Sequence, residues 1–381
     1  MEYKKILFYL ICFIGSQNHG YSQINRIWLT HRTNDPFHLV INWFSDRPGN
    51  SSVCFYVDKS KEYRISVNEE TTLHHIEIPL EEKDVIYHYK VATGNEESQL
   101  HSFKAYPSNQ KELRVAVVGN WGYSENPDLS QLIKDDPHLL LTLGDNVPNL
   151  HDICGDGVTN CIEPFLRLID SAPGLFQITP VMPVLGNHDK EIKERGGILP
   201  PLPVYDINAT AYCEFFELPD SEWKWHFSIP DFNVCFIALD LCHTFDFGTT
   251  WQACHDFHAD SDQMKWYREV MKKSMGKNII TLTNEKNSTM RKLGGGEWKD
   301  LFRRGTIVIS GYGYFMERAD AEGFPYFNAS LKAGDKYPDE FSEILKDVNG
   351  YILLSFTKGS SIIEMKSLDG EIIDRYSLCP Q

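Results

Sequence analysis

Three short apolar runs in this sequence each end in a glycine that is followed by asparagine or aspartate. The runs and their turn residues are Val115–Val118 with Asn120, Leu139–Leu143 with Asp145, and Val181–Leu185 with Asn187. Apolar runs of this length, bounded by turn residues, predict buried strands. Because α/β folds place their sites at the carboxyl ends of strands, we expect three oxygen-bearing turns along one edge of a sheet.

The third of these turns carries the most chemistry. It reads Gly186-Asn187-His188-Asp189 and presents an amide oxygen, an imidazole and a carboxylate side by side. Oxygen atoms are the preferred ligands of hard cations, and imidazoles and carboxylates serve as general acids and bases. The turns therefore indicate a site for a metal ion or a phosphate ester.

The motifs GNWG at residue 119, GDN at residue 144 and GNHD at residue 186, in this order, resemble those of the calcineurin-like metallophosphoesterases, most closely the purple acid phosphatases. The resemblance covers about residues 113–320 and is specific as a set. It implies an α/β sandwich with the site at the strand ends. Active members of the family hydrolyse phosphate esters with two metal ions bridged by a carboxylate.

The resemblance also implies a role for each residue of the turns. Asp145 stands at the bridging position, Asn187 at a further ligand position, and His188 where the family's histidine acts on the substrate. If the protein is active, His188 is the expected general acid that protonates the leaving oxygen. Asp145 and Asn187 are the expected relics of the metal site, and the residues expected to contact a substrate are Asn120, Asn187, Tyr312 and Tyr314.

Other positions of the family pattern carry residues that cannot replace its ligands. The first turn has Asn120 in place of an aspartate, and the position three after Asp145, a tyrosine in purple acid phosphatases, is Pro148. Asn284 follows the late strand where the family has a histidine, and residues 311–314 read Gly-Tyr-Gly-Tyr in place of Gly-His-x-His.

The last histidine of the chain is His258, so no later imidazole exists that a shifted alignment could recover. One carboxylate from Asp145 and one amide from Asn187 supply too little negative charge to hold two dications against their mutual repulsion. Neutral tyrosine is also a poor ligand, since its phenol titrates near pH ~10. The family's dinuclear Fe, Zn or Mn centre is therefore not expected to assemble, and the predicted cofactor is none or a single divalent metal.

A relocated centre is the alternative interpretation. Residues 242–262 follow a predicted strand and should lie over the site, and they contain His243, His255, His258, Asp256 and Asp260. A His-x-x-His pair with nearby aspartate is able to bind one cation from a loop. The same residues are also typical of a solvated lid pinned by a disulfide. Four aromatic residues are expected near the opening of the site: Trp121, Trp251, Tyr312 and Tyr314. They would either bind a sugar or nucleoside or fill a pocket that has lost its metals.

The remaining sequence predicts three segments. Residues 1–23 have the lysines, short apolar run and polar end of a secretory signal, which predicts a secreted or periplasmic protein. Residues 24–108 contain short, regularly spaced strand signals, which favour an immunoglobulin- or fibronectin-like β-sandwich of the kind that precedes the catalytic domain in larger purple acid phosphatases. Residues 113–381 form the predicted metallophosphoesterase-like α/β sandwich with a β-rich end.

Charge and cysteine content narrow the partners and the compartment. The formal net charge of -16 argues against nucleic acid as a partner. No stretch is long and apolar enough to predict a membrane span. Eight cysteines remain after the signal, an even number that favours disulfides in an exported chain. Cys154 with Cys161 is the first predicted pair, Cys242 with Cys254 the second, and Cys235 is predicted to be a buried thiol.

These observations lead to two hypotheses. The first is an exported, purple-acid-phosphatase-like protein whose metal centre has degenerated, and which binds a small molecule, a glycan or a protein, or serves as a scaffold. The second is an active phosphoesterase that uses a reduced or relocated metal centre around Asp145, Asn187 and His188. Metal content and turnover of a phosphate ester distinguish the two.

Overall fold

The computed structural model describes residues 24–155, 158–191, 207–244, 254–335 and 337–378. The predicted signal peptide, Trp251 and Cys379 lie outside these ranges. Within them, no helix is both long enough and apolar enough to cross a membrane.

The N-terminal region is a six-stranded β-sheet. Its strands are β1 (Arg26–Thr30), β2 (His38–Tyr56), β3 (Tyr63–Pro79), β4 (Ile86–Thr93), β5 (Glu96–Glu97) and β6 (His101–Lys104). The apolar patterns of residues 37–44 and 52–57 each predict a separate strand, but the structure joins them in one strand, β2, so that part of the prediction is wrong. The pairing of β2 with β3 shifts register between Phe44 and Gly49, and such irregularities bend a strand without ending it.

Long β2 and β3 hold the whole region in one hydrogen-bonded sheet, because the first half of β2 pairs with β1 and its second half with β4. Both halves contribute to one apolar core, which includes Leu39, Trp43, Phe55 and Tyr89. The β-rich character predicted for this region is confirmed. The immunoglobulin- or fibronectin-like assignment stays a prediction.

Two further sheets form the rest of the protein. Their strands are β7 (Leu113–Val118), β8 (Leu139–Leu143), β9 (Val181–Val184), β10 (Trp225–Ile229), β11 (Val234–Ala238), β12 (Asn278–Thr283), β13 (Ile307–Ser310), β14 (Met316–Ala321), β15 (Phe324–Asn328), β16 (Ser342–Lys346), β17 (Gly350–Thr357), β18 (Ser360–Ser367) and β19 (Ile372–Leu378). One sheet has the order β19-β18-β17-β7-β8-β9 and the other β10-β11-β12-β13-β15-β14-β16.

The helices lie mainly on the outer faces of these sheets. They are α1 (Ser130–Lys134), α2 (Leu150–Cys154), α3 (Glu163–Ser171), α4 (Pro173–Phe176), α5 (Thr210–Phe216), α6 (Asp262–Lys273), α7 (Asn287–Met290) and α8 (Glu297–Phe302). Side chains of the two sheets share one core, to which α3, α4 and α5 also contribute. A second core joins the far face of the β10–β16 sheet to α6 and α8. The predicted α/β sandwich is thus present, with helices, two sheets and helices in layers.

The N-terminal sheet is fixed to this sandwich by direct packing. Trp28 of β1 stacks on Phe215 of α5 with ring centroids 4.1 Å apart and planes 5° from parallel. The guanidinium of Arg26 pairs with Asp170 of α3 at 2.7 Å. Since both rings of the stack are fully buried, the apolar contact supplies most of the stabilisation and the exposed ion pair little.

The cysteines follow two of the three predictions. Cys154 and Cys161 form a disulfide with a Cα–Cα distance of 6.0 Å, and Cys235 is a buried free thiol. The predicted disulfide between Cys242 and Cys254 is wrong for this structure, in which both are buried thiols outside any disulfide. The Cys242 thiol instead donates to the carboxylate of Asp240 at 3.6 Å.

Candidate functional site: a degenerate metal cleft

The three predicted turns meet at one edge of a sheet. Strands β7, β8 and β9 are adjacent and parallel, so their carboxyl ends lie side by side. Asn120 and Asp145 both adopt left-handed backbone conformations, with φ of 56° and 50°, which turn the chain sharply at the strand ends. A Cβ at Gly186 would lie 2.3 Å from the backbone nitrogen of Asp145, so only glycine allows the second and third turns to approach this closely.

The first turn uses its polar side chain to hold the last one. The side-chain nitrogen of Asn120 donates to the carbonyl oxygens of Gly311 at 2.7 Å and Gly313 at 3.0 Å, and it lies 3.1 Å from Ser330 Oγ. An aspartate cannot donate these bonds. Asn120 is 1% exposed, so the amide that was expected to contact a substrate is buried and hydrogen-bonded within the protein.

The second and third turns carry buried polar atoms that have no partner. Asn187 is fully buried, and among the described residues neither its side-chain oxygen nor its nitrogen forms a hydrogen bond. Oδ1 of Asp145 is also buried and has no hydrogen-bond partner among the described residues. Burial raises the pKa of the Asp145 carboxyl well above its ordinary value, and the nearby charge of Asp189 acts in the same direction. Unpaired buried polar groups are costly, which marks this pair as the place where a ligand would bind.

Asp189, the last residue of the GNHD motif, ties two turns together. Its carboxylate accepts hydrogen bonds from the backbone nitrogens of Asn146, Val147 and Gly186 at 2.8–3.2 Å, and from the Asn146 side chain at 2.7 Å. Burial raises its pKa to about 6, although these donors oppose the shift. These hydrogen bonds use the acceptor capacity of the Asp189 carboxylate, which therefore is not directed at a ligand of Asp145 and Asn187. Its role is to hold the two turns that carry these residues.

Asn284 occupies the place of the first late histidine and also forms a structural bond. Its side-chain nitrogen donates to the backbone oxygen of Leu143 at 2.8 Å, and a Cβ at Gly144 would lie 2.7 Å from its side chain. The amide thus fills the space between β12 and the turn after β8. No negative charge or imidazole enters the cleft from this position.

His188, the predicted general acid, is half-buried at the rim of the cleft. Its ring nitrogens lie 2.8 and 2.9 Å from the hydroxyl of Tyr123, and it also bonds to the side-chain oxygen of Asn149. Tyr123 packs edge-on against the imidazole with centroids 5.0 Å apart. The ring is held in place by these neighbours whether or not a substrate binds.

Tyr312 and Tyr314 belong to a wider group of aromatic side chains, and their predicted contact with a substrate stays a prediction. Tyr314 packs against Tyr123 at 5.7 Å, and Tyr312 packs against His243 at 5.4 Å. The ammonium of Lys332 lies 4.7 Å from the centre of the Tyr314 ring, a cation–π distance. Burial raises the pKa of Tyr314 to about 12, which keeps its phenol neutral and a poor metal ligand.

Trp121 does not lie at the opening of the site, and its predicted position there is wrong. It is 4% exposed, packs against Phe176 with centroids 5.2 Å apart, and donates its indole hydrogen to Ser171 Oγ at 3.1 Å. Side-chain direction at a turn cannot be inferred from the apolar pattern alone, and here the large ring turns into the core.

The histidines of the alternative site have separate partners. His255 donates from Nδ1 to the buried carboxylate of Asp240 at 2.7 Å and stacks on Trp223 at 3.6 Å. His258 is 77% exposed and pairs with Asp256, two residues before it in the chain. His243 packs on Tyr312. Across the ranges that the structure describes, no group of three or more His, Cys, Asp or Glu side chains could hold a metal ion.

Asp240 has a different partner of opposite charge. Its carboxylate pairs with the ammonium of Lys190 at 2.8 Å, and both side chains are fully buried. The carboxylate charge that ends β11 is therefore compensated by lysine and by His255, which leaves it unsuited to bind a dication in addition. The sequence pattern did not reveal this pair, because a lysine directly after GNHD has no periodic or motif signal.

The donor set does not fit the family's two metal ions. The positions that should supply charge or imidazole hold an amide bonded to the last turn at Asn120, an amide bonded to Leu143 at Asn284, and the tyrosine side chains of Tyr312 and Tyr314. Asp145 and Asn187 are left as potential ligands. Two side chains with at most one negative charge between them do not balance a pair of dications.

Comparison with known proteins places this chain in a family. The calcineurin-like phosphoesterase family matches residues 100–318, which is more than half of the chain, and the protein therefore belongs to that family. The prediction made from the three turns is confirmed. Among curated proteins, a search finds no match.

Solved structures show the same fold at low identity. The structure of PhoD is 12% identical and matches with a TM-score of 0.66 over 94% of this chain and 90% of that one. GAP50, described as the anchor in the inner membrane complex of Plasmodium, is 13% identical with a TM-score of 0.43 over 71% of this chain and 89% of that one. The likeness to PhoD covers nearly the whole chain, so the two proteins share a fold that includes the N-terminal region.

Proposed function

We propose that this protein is a calcineurin-like phosphoesterase homologue that has lost dinuclear phosphatase chemistry and acts as an exported binding or scaffold protein. The observation that carries the proposal is the Asn120 side chain, which donates to the carbonyls of Gly311 and Gly313. A residue that should bind metal is built into the turn that should supply two more ligands. The hydrogen bonds from Asn120 stabilise the cleft without a metal ion. This is what we expect of a protein that binds a ligand and does not use metal chemistry.

The ligand of the cleft is proposed from its lining. Tyr314 packs against Tyr123, Tyr312 packs against His243, and the ammonium of Lys332 lies over the Tyr314 ring. Aromatic faces beside polar groups suit a small molecule, a glycan or an exposed protein side chain. The Cys154–Cys161 disulfide supports export, since disulfides persist in oxidising compartments. We also propose that residues 24–108 form an immunoglobulin- or fibronectin-like module.

Turnover of p-nitrophenyl phosphate tests the loss of activity. Full-length protein is assayed between pH 5 and 8 with added Fe, Mn or Zn, beside an Asp145→Asn variant that removes the remaining carboxylate ligand. We expect no turnover above that of the Asp145→Asn variant at any pH. If the unmodified chain turns over the substrate and Asp145→Asn abolishes this turnover, the protein is an active phosphatase and the proposal is wrong.

A second candidate is a phosphoesterase with a single divalent metal at Asp145 and Asn187. The unpaired buried atoms of these two side chains favour it. In that case His188 would protonate the leaving oxygen from the rim. Calorimetric titration with Mn²⁺ or Zn²⁺ separates the candidates. The second function is supported if the protein binds one ion saturably, if Asn187→Leu abolishes this binding, and if the protein also turns over the phosphate ester. A Ser124→Ala variant, at the end of the first turn and outside the donor set, controls for general disturbance of the site.

A further inference from the structure

A cavity of about 350 Å³ opens in the N-terminal sheet, away from the degenerate cleft. It lies where the end of β2 and the start of β3 face the connection from β3 to β4, and its lining includes Tyr63, Tyr87 and Pro79. This volume falls at the lower end of the range of small-ligand sites, about 300–1,000 Å³. The cavity therefore has room for a ligand of about one sugar ring.

Aromatic rings form one wall of the cavity. Tyr63 is 53% exposed although it is large and flat, and it stacks on buried Phe55 with centroids 5.5 Å apart and planes 26° from parallel. The stack fixes the orientation of the exposed ring before any ligand binds. A rigid aromatic face costs little conformational entropy to use, and it suits the apolar C–H face of a sugar.

Polar groups of both kinds form the rim. Carboxylates of Asp58, Glu81 and Glu82 are acceptors there and the ammonium of Lys61 is a donor, although Oδ1 of Asp58 already accepts the backbone N–H of Ser60 at 3.0 Å. Within the described ranges, no ion-pair partner is found for Glu81, Glu82 or Lys61. The Tyr87 hydroxyl accepts a bond from the Glu82 backbone nitrogen at 3.0 Å, which leaves its own hydrogen to donate.

This combination suits a ligand rich in hydroxyl groups. The three carboxylates disfavour an anion, and the acceptor oxygens together with the Lys61 donor match sugar hydroxyls, each of which both donates and accepts. We propose that this cavity is a carbohydrate-binding site, in which one sugar ring stacks on Tyr63 and bonds to the carboxylate rim. The site is independent of the proposed loss of phosphatase chemistry, because it shares no residue with the cleft at Asp145.

Saturation-transfer NMR on the full chain tests the proposal, with the methyl glycosides of glucose, mannose, galactose and N-acetylglucosamine as probes. We expect saturation transfer to at least one of them, reduced at least fivefold by Tyr63→Ala and by Glu81→Ala. Leu100→Ala changes an equally exposed residue of the same region outside the cavity lining, and it should leave the signal unchanged.

Melting temperatures of the three variants are compared, so that a loss of signal is read only from folded protein. Glu81→Ala keeps the test decisive if Tyr63→Ala unfolds, since Glu81 is exposed and its carboxylate forms no hydrogen bond or ion pair with any other described residue. Absence of saturation transfer to all four probes overturns the proposal, as does a signal that survives both substitutions. Selective binding of a lysine-rich peptide in the same cavity would equally overturn it in favour of a cation site.

Discussion

Returning Asn120 to the family's aspartate should destabilise the protein without restoring a metal site. The substitution removes two hydrogen bonds, to the carbonyls of Gly311 and Gly313, worth about 1 kcal/mol each. It also places a buried carboxylate against two carbonyl oxygens that then have no donor. Together these effects should cost roughly 3–5 kcal/mol of unfolding free energy.

The measurement is thermal unfolding of Asn120→Asp beside two controls. Asn120→Ala removes the bonds without adding charge and should cost about 2–3 kcal/mol, since it leaves the carbonyls unpaired. Asn126→Asp makes the same chemical change at an exposed residue a few positions away, and it should stay within about 0.5 kcal/mol of the unmodified chain.

The pH dependence separates charge from geometry. A carboxyl at position 120 would regain one donor when protonated, so the deficit of Asn120→Asp relative to the unmodified chain should shrink as pH falls from 7.5 to 5. An Asn120→Asp protein that is as stable as its parent refutes this reasoning. So does one that gains several degrees of melting temperature on addition of Zn²⁺ or Mn²⁺, because binding to the folded state would then have been restored.

Further predictions concern acid stability, the buried ion pair and the attachment of the N-terminal sheet. Burial lowers the pKa of His31 to about 4 from 6.5. The contribution of neutral His31 to the free energy of unfolding is therefore complete above pH 6.5 and falls by roughly 3 kcal/mol as the pH drops to 4. His31→Gln should make the melting temperature less dependent on pH over that interval. Lys190→Met should cost about 3–5 kcal/mol, because it leaves the buried Asp240 carboxylate without its ammonium partner. Lys190→Met combined with Asp240→Leu should cost less than the sum of the two single substitutions in urea unfolding. Trp28→Ala empties the stack on Phe215 and should cost about 3–5 kcal/mol, seen as faster proteolysis of the N-terminal region.

The sheet and its turns could be predicted because their signals are local. Apolar runs such as Leu139–Leu143 and Val181–Leu185 need only their own composition to read as buried strands, and a glycine marks where each ends. The parallel order of β7, β8 and β9 then follows from the connections between them. Loss of the late histidines is equally visible, since residue types are read directly.

The use to which each polar side chain is put could not be predicted. Asn120 reaches a turn 191 residues later, and Lys190 reaches Asp240 across a loop, and no local pattern encodes such contacts. The position of Trp121 could not be inferred for the same reason, because its ring direction depends on packing against Phe176. The continuity of β2 could not be inferred either, because the polar stretch at which this strand bends has the composition of a turn.

Metal content of the unmodified protein tests the central claim most directly. The full chain is purified without chelators from cells supplied with Fe, Mn and Zn, and the bound metals are measured by mass spectrometry. Since Asp145 and Asn187 are the only family ligand positions left with uncommitted atoms in the described cleft, at most one ion per chain is predicted. Two ions per chain, both lost from an Asp145→Ala variant that remains folded, would contradict the account.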